Sequence, residues 1–399
     1  MTEQDFLRVC SEIEQENEFL NSVSQEIWKN PELPYEERHA HEVLTRALIR
    51  YGFRVQKHYM LSTAFRADLS SKEGAGPTVA ILLEYDALPE LGHACGHNLI
   101  AEAGFAAAMA VKRAMEADCS LHGKLVVLGT PAEEGGGGKI KLLNQGAFDG
   151  IQAAMMVHPS PYNHIFPVTQ CYVQYVIEFK GKEAHAGATP WEGRNALDAA
   201  VCCYQSIGLL RQQIKPSWRI QAIITKGGTV ANVIPSLTTM EVHLRTPTRT
   251  ERKELQAKIE ACFTSSAIAT GCEVQFQCRE TNSYKDLVTN KTLANVYKKH
   301  AERLGMGTDP GEVRDLPFGS TDMGNVSHVI PSIHPIYAIQ SQGINHTKGF
   351  AESCGSALAQ GPTLLAGKVM AMTVLEIFRS PNILQDARKE FERECINNA

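Results

Sequence analysis

No uninterrupted apolar stretch in these 399 residues approaches the roughly 20 that a membrane span needs. The first residues, MTEQDFLRVCSEIEQENEF, are polar and acidic, with neither the apolar core of a secretory signal nor the Arg-rich face of a transit peptide. Lys and Arg never gather into a run and the net charge is −5, which speaks against nucleic acid or an anionic lipid surface as a partner. There is no internal repeat and no low-complexity tract. HExxH, a GxSxG elbow and a GxGxxG after a strand are all missing, so the common zincin, serine-hydrolase and dinucleotide readings fall away. Cysteine is plentiful, but its 11 copies are odd in number and scattered without a framework. In a chain this size that pattern implies reduced thiols and a cytoplasmic location. Sequons at Asn290, Asn325 and Asn345, with no secretory signal, read as chance matches.

The length predicts about two domains, and a composition 43% hydrophobic and 21% charged suffices for a large core. Residues 11–29 and 36–51 have helical periodicity, interrupted by Pro31 and Pro34 and closed by Gly52. Residues 78–85, 124–129 and 153–157 are continuous apolar runs of the kind buried on both faces of a parallel sheet. An Ala-rich helix over 99–116 separates the first two. From residue 168 the pattern changes to half-exposed strands near 168–180, 218–226, 237–246 and 272–279, with helices over 195–214 and 250–269. That order, βαββαβ, is ferredoxin-like. Helix and strand resume near 286 and end in helices near 361–378 and 384–395. The expectation is an α/β protein of two domains. Residues 1–167 and 286–399 form a mixed, mostly parallel α/β/α domain, and 168–285 form an inserted βαββαβ domain.

Four short segments place metal-ligand side chains directly after apolar strands, where open α/β sheets build their sites. The first runs from Glu84 and Asp86 to GHACGHN, in which Cys95 and His97 are two apart. In an extended loop both can face one side, and thiolate with imidazole suits zinc and similar borderline metals. A lone Cys-x-His is more often a free Cys beside a surface His; the flanking glycines and the preceding strand weigh against that here. The second segment is TPAEEG, residues 130–135. Of its adjacent carboxylates, one can bind metal and the other act as a general base on water; an isolated Glu pair is otherwise a solvated turn. The Gly135–Gly138 run followed by Lys139 lacks phosphate-loop spacing and reads as a flexible turn into the next helix. The third segment is His158-Pro159 and the fourth is Asn345-His346. Each alone is as easily structural.

Together, GHACGHN, TPAEEG, His158-Pro159 and Asn345-His346 resemble one family over roughly residues 15–380. It comprises the aminoacylases, hippurate hydrolases, auxin-conjugate hydrolases and bacterial glutamate carboxypeptidases, the co-catalytic metallopeptidases of clan MH. GHACGHNLIAEAG, with Asn98 where hippurate-hydrolase relatives usually carry Asp, and FGSTDMGNVS at 318–327 are similar to the branch of β-alanyl-lysine dipeptidases and the p-aminobenzoyl-glutamate hydrolase subunit. The resemblance implies two divalent ions, zinc or manganese, bridged by Cys95, with His97, Glu134, His158 and His346 completing ligation. It makes Glu133 the base that takes a proton from water and later returns it to the leaving amine. Asp86 would orient a ligand. Glu84 stands where other branches have a metal His, which His97 replaces. In the inserted domain GKEAHAGATP is similar to the family's lid motif, whose His185 donates to the oxyanion. Asn232 and Arg245 match its carboxylate-binding strand pair; Arg suits a carboxylate because its fork meets both oxygens.

These features predict a metal-dependent hydrolase of dipeptides or N-acyl amino acids bearing a free C-terminal carboxylate, a dipeptidase of the β-alanyl-lysine or Xaa-basic kind. It is expected to be a homodimer through the inserted domain, with no nucleic-acid or membrane partner. A p-aminobenzoyl-glutamate or N-acyl-amino-acid amidohydrolase is the alternative within enzymes. A non-catalytic relative that only binds is the alternative outside them, and it would be favoured by a missing Glu133 or ligand. None is missing.

Overall fold

The computed structural model describes residues 1–71, 76–279, 283–307 and 319–397. The chain divides into two compact units. The first holds Met1–Val168, resumes at Leu287 and includes Thr321–Asn397; the second holds Thr169–Asp286 together with Gly319 and Ser320. Each crossing falls one residue later than the change in sequence pattern suggests.

The first unit opens with helices α1 (Glu3–Gln15) and α2 (Asn17–Lys29), parted at Glu16 although the periodicity alone reads as a single helix from residue 11. After α3 (Arg38–Arg50) come β1 (Arg54–Lys57), β2 (Phe65–Ser70), β3 (Thr78–Leu83), α4 (His97–Ala117), β4 (Lys124–Gly129), α5 (Gly138–Asn144), β5 (Ala153–Met155) and β6 (His158–Ser160). β3 lies between β4 and β5 and is parallel to both; β2 pairs antiparallel with β4, and β1 with β2. Alternate residues of the parallel strands feed separate clusters on the two faces of the sheet. Val79, Ile81 and Leu83 join one with residues of α4; Ala80 and Leu82 join another with Leu142 of α5. Burial on both faces is why these strands read as unbroken apolar runs rather than alternating ones.

The second unit contains β7 (Cys171–Lys180), α6 (Ala196–Leu210), β8 (Arg219–Lys226), β9 (Leu237–Thr246), α7 (Arg249–Thr270) and β10 (Glu273–Cys278). Its sheet has the order β10-β7-β9-β8 with every pairing antiparallel. Val173, Tyr175, Ile177 and Phe179 of β7 and Met240, Val242 and Leu244 of β9 alternate into a core with Ala199 and Cys203 of α6 and Leu255, Ile259 and Phe263 of α7. One face of a half-buried sheet is thereby covered by two helices, the βαββαβ arrangement the sequence order implies.

Back in the first unit follow α8 (Lys291–Arg303), α9 (Met323–Ser327), β11 (Ser332–Ile333), β12 (Ile336–Ala338), α10 (Lys348–Cys354), α11 (Ala357–Arg379) and α12 (Asn382–Asn397). β11 adds parallel to β5 and completes the order β1-β2-β4-β3-β5-β11; β12 pairs parallel with β6 in a separate ribbon. By length and composition α11 could cross a membrane, although Gln360, Lys368 and Glu376 interrupt its apolar run, and most of it is buried inside the unit, where it packs along α4. The architecture is α/β, a mostly parallel sheet covered on both faces, interrupted by a βαββαβ unit.

Candidate metal centre

The parallel strands β3, β4 and β5 bring their carboxyl ends to one edge, and the predicted donors of the first unit follow them, except His346, which follows β12 of the separate ribbon. Glu84 and Asp86 leave β3, Glu133 and Glu134 leave β4, and His158 opens β6 just beyond β5. Cys95 and His97 are not in one extended loop: His97 is the first residue of α4 and Gly96 precedes it at φ +81°. A Cβ at Gly96 would meet Pro159 Cγ at 2.5 Å and Cys354 Sγ at 3.1 Å, so both the dihedral and the close approach require glycine. The left-handed turn, rather than strand pleating, aims the two side chains together.

Cys95 Sγ lies 3.3 Å from His158 Nε2. His158 donates through Nδ1 to Pro159 O at 2.8 Å, and His97 through Nδ1 to Asp86 Oδ1 at 3.0 Å. Those bonds place the proton on Nδ1 of each ring, so each Nε2 offers a lone pair to the interior. Asp86 has a second role, its Oδ2 accepting from the Glu134 backbone N–H at 2.9 Å. His346 sits at φ +67°, its N–H donating to Ala94 O, and its Nε2 lies 3.2 Å from Glu134 Oε1. Asn345 donates to the same Pro159 oxygen that His158 uses, tying the two histidine loops together.

Beside the sets His97–Glu133–Glu134 and Glu84–Glu133–Asp322, two overlapping donor sets converge on one cysteine, Cys95–His97–His158 and Cys95–Glu134–His346, the donor atoms of each set lying within 4.8 Å of one another. Cys95 is common to both. Buried His97 Nε2, Glu84 Oε2 and Glu134 Oε1 lack a hydrogen-bond partner among the described residues. Glu84 Oε2 and Glu134 Oε1 stand 3.5 Å and 3.9 Å from His97 Nε2. Buried polar atoms converging without partners are costly unless a cation joins them, so this donor set fits a pair of divalent ions.

Electrostatics agree. Burial opposes a charged His97, but Asp86, Glu84 and Glu134 outweigh it and hold the imidazole up at about 10; the same field favours a metal cation at Nε2. Burial, then the Glu134 and Glu133 carboxylates, push the Cys95 thiol well up, so its thiolate needs a cation beside it. Burial and the neighbouring Glu84, Glu134 and Asp322 push the Glu133 carboxyl well above the ordinary range, giving it the proton affinity a general base requires.

Some residues of the centre have no legible signal in the sequence. Glu37 is fully buried and its carboxylate accepts from Ala132 N at 2.9 Å, Tyr35 N at 2.8 Å and Thr63 Oγ1 at 2.7 Å, fixing the turn that presents Glu133 and Glu134. It lies 95 residues from Ala132 along the chain, and nothing around it marks it. Lys139 follows the glycine turn with no mark of a site in the sequence, and it is buried between Glu84 and Asp322.

In the second unit, exposed His185 accepts through Nδ1 from Gly187 N and Ala188 N at 3.2 Å and 3.1 Å, which leaves Nε2–H as an outward donor. The Asn232 carbonyl accepts from Ala186 N at 3.0 Å, bringing that loop against the His185 turn. Arg245 stacks over Tyr172 at 4.8 Å and donates to Ser320 Oγ at 3.0 Å. Burial draws its pKa down, and no carboxylate among the described residues is paired with it.

Comparison with known proteins places the chain. Residues 170–270 match the family profile described as the peptidase dimerisation domain. An Xaa-Arg dipeptidase of Mus musculus is 44% identical over 98% of this chain and 94% of its own length. That of Homo sapiens is 42% identical over 97% and 92%, and a p-aminobenzoyl-glutamate hydrolase subunit of Escherichia coli is 27% identical over 96% and 93%. Among solved structures, a dinuclear metal-binding peptidase of the M20 family from Bacillus subtilis shares the fold with a TM-score of 0.72 at 20% identity, over 92% of this chain and 99% of that one. The chain belongs to the M20 family of metallopeptidases and amidohydrolases. The resemblance read from the motifs is borne out, and the protein is a metal-dependent hydrolase of amide bonds.

Proposed function

We propose that the protein is a dipeptidase that releases a basic C-terminal amino acid, arginine or lysine, from short substrates with a free carboxylate. The observation that carries this reading is the convergence of five donors and Glu133 at one sheet edge, in a chain 44% identical along nearly its whole length to an Xaa-Arg dipeptidase. Cys95, His97, His158, Glu134 and His346 hold two divalent ions, zinc or manganese. Bound there, the ions supply Lewis-acid polarisation of the amide carbonyl and acidify the attacking water.

The chain's own groups do the rest. Glu133 takes the proton of the attacking water, and the same carboxyl returns it to the departing amine nitrogen. His185, with its proton fixed on Nε2, donates to the oxyanion of the tetrahedral intermediate. Arg245, partly desolvated and unpaired with any carboxylate among the described residues, receives the substrate's C-terminal carboxylate with help from Asn232. Asp86 holds His97 and the Glu134 backbone in register. The reading includes a homodimer formed through the second unit, supported by the dimerisation-domain match, and a reducing, cytoplasmic setting, supported by the free thiols of Cys95 and its fellows.

The test is a panel given to the metal-loaded enzyme: Xaa-Arg and Xaa-Lys dipeptides, their C-terminal amides, Xaa-Glu, acyl amino acids and p-aminobenzoyl-glutamate. The basic dipeptides should lead in kcat/KM. Faster cleavage of p-aminobenzoyl-glutamate would overturn the substrate assignment, and equal cleavage of C-terminal amides would remove the carboxylate role of Arg245.

A further inference from the structure

Lys139, the second residue of α5, has no part in the mechanism above. It is fully buried. Its ammonium donates to Glu84 Oε1 at 2.5 Å and to Asp322 Oδ1 at 2.7 Å, and its backbone N–H donates to Asp322 Oδ2 at 2.8 Å. The backbone is drawn in tightly before it: a Cβ on Gly138 would lie 1.7 Å from Pro131 O. Burying an ammonium is expensive unless the acids around it need it.

They do. Glu84, Glu133 and Asp322, all buried, present carboxylate oxygens within 4.8 Å of one another, the same donor spacing as the sets assigned to metal. Such a trio repels itself unless a cation sits among it. A divalent ion would satisfy it and would turn Glu133 into a ligand. Here the cation belongs to the chain. An ammonium is a compact charge with three donors and no exchange with solvent ions, and it anchors one oxygen of Glu84 while the other faces His97.

We propose that Lys139 is a positioning residue: a tethered cation that fills the Glu84–Glu133–Asp322 cluster, denies it to a third divalent ion, and so keeps Glu133 a base rather than a ligand. The proposal rests on the di-metal reading above. Removing the charge should open the cluster to a metal ion and cost turnover without altering substrate binding.

The experiment uses full-length wild type, Lys139→Met and Lys139→Gln, each equilibrated with Mn²⁺, desalted and analysed for ions per chain, with kcat and KM measured in parallel. Lys139→Met should retain one divalent ion more than wild type, and its kcat should fall by about tenfold or more at an unchanged KM, as expected when a transition-state role alone is lost. If Lys139→Met does not fold, Lys139→Gln, which keeps a neutral hydrogen-bond donor on a side chain one atom shorter, decides by the same count. A folded variant with the wild-type number of ions overturns the proposal whatever its turnover. One with fewer ions overturns it too, since Lys139 would then be supporting the donors. A wild type that retains no ions would instead bring down the di-metal reading.

Discussion

Glu133 and Glu134 are chemically identical neighbours whose surroundings assign them different work. Glu134 points an oxygen at His346 and shares a donor set with Cys95, while Glu133 lies near His97 and Glu134 in a set without the cysteine, and burial, then Glu84, Glu134 and Asp322, raise its proton affinity. Changing Glu133 to Gln preserves its size and leaves the Cys95-containing sets intact, so the variant should fold and keep its ions. Its kcat should drop by roughly 10²–10⁴-fold, the usual contribution of a general base. Elemental analysis beside steady-state kinetics checks both halves; a variant keeping more than about a tenth of wild-type kcat would remove Glu133 as base. That such a pair should divide its labour is legible in TPAEEG after an apolar run, since the strand fixes where the side chains emerge. Which neighbours push on each carboxylate is not legible. Glu37, Lys139 and Asp322 reach the centre from distant or unremarkable stretches of chain, and Lys139 merely follows a glycine turn in the sequence.

At the scale of elements, the strands of the first unit declare themselves as apolar runs because both their faces are buried, whereas the turns between them do not. Cys95 and His97 are adjacent for a different reason from the one their spacing suggests: a left-handed Gly96 starts α4 between them. Periodicity is blind to such a turn, just as it merges α1 and α2 across Glu16. Helix α4 also carries a buried acid that periodicity cannot explain. Glu102 is enclosed on the core side of α4, and burial, against weaker help from Gln360 and Ser24, pushes its carboxyl from 4.5 up to about 7. The folded state therefore holds this proton more tightly than the unfolded chain. Its contribution is fully present below pH 4.5 and is lost as pH rises through 7. Glu102→Gln, which mimics the protonated form, should match wild type at low pH and be more stable above pH 7, by on the order of 3 kcal/mol from the shift in pKa. Thermal unfolding of the two proteins between pH 4.5 and 8 checks this; parallel curves would show that Glu102 keeps an ordinary pKa.

For the whole molecule, the question is what the second unit does with its open edge. β8 terminates its sheet, and a bare strand edge invites pairing with another chain. The unit also exposes large apolar side chains, Ile223 on β8, Tyr204 and Leu209 on α6 and Ile268 on α7. With the dimerisation-domain match over residues 170–270, these features support a homodimer, and a homodimer can complete one site with two chains. His185 belongs to the second unit, while Glu133 and the donors belong to the first. Complementation decides between service within a chain and service across the dimer. Glu133→Gln protein and His185→Ala protein, each nearly inactive, are mixed and allowed to exchange subunits, and mixed dimers are confirmed by mass. If His185 serves the partner, the mixed dimer has one site lacking both groups and one site with both. That intact site should recover up to half the activity of a wild-type dimer. If His185 serves its own chain, every site in the mixture lacks one group and the activity stays at the level of the parents. The expected outcome is recovery; mixed dimers as inactive as their parents would show each chain completing its own site.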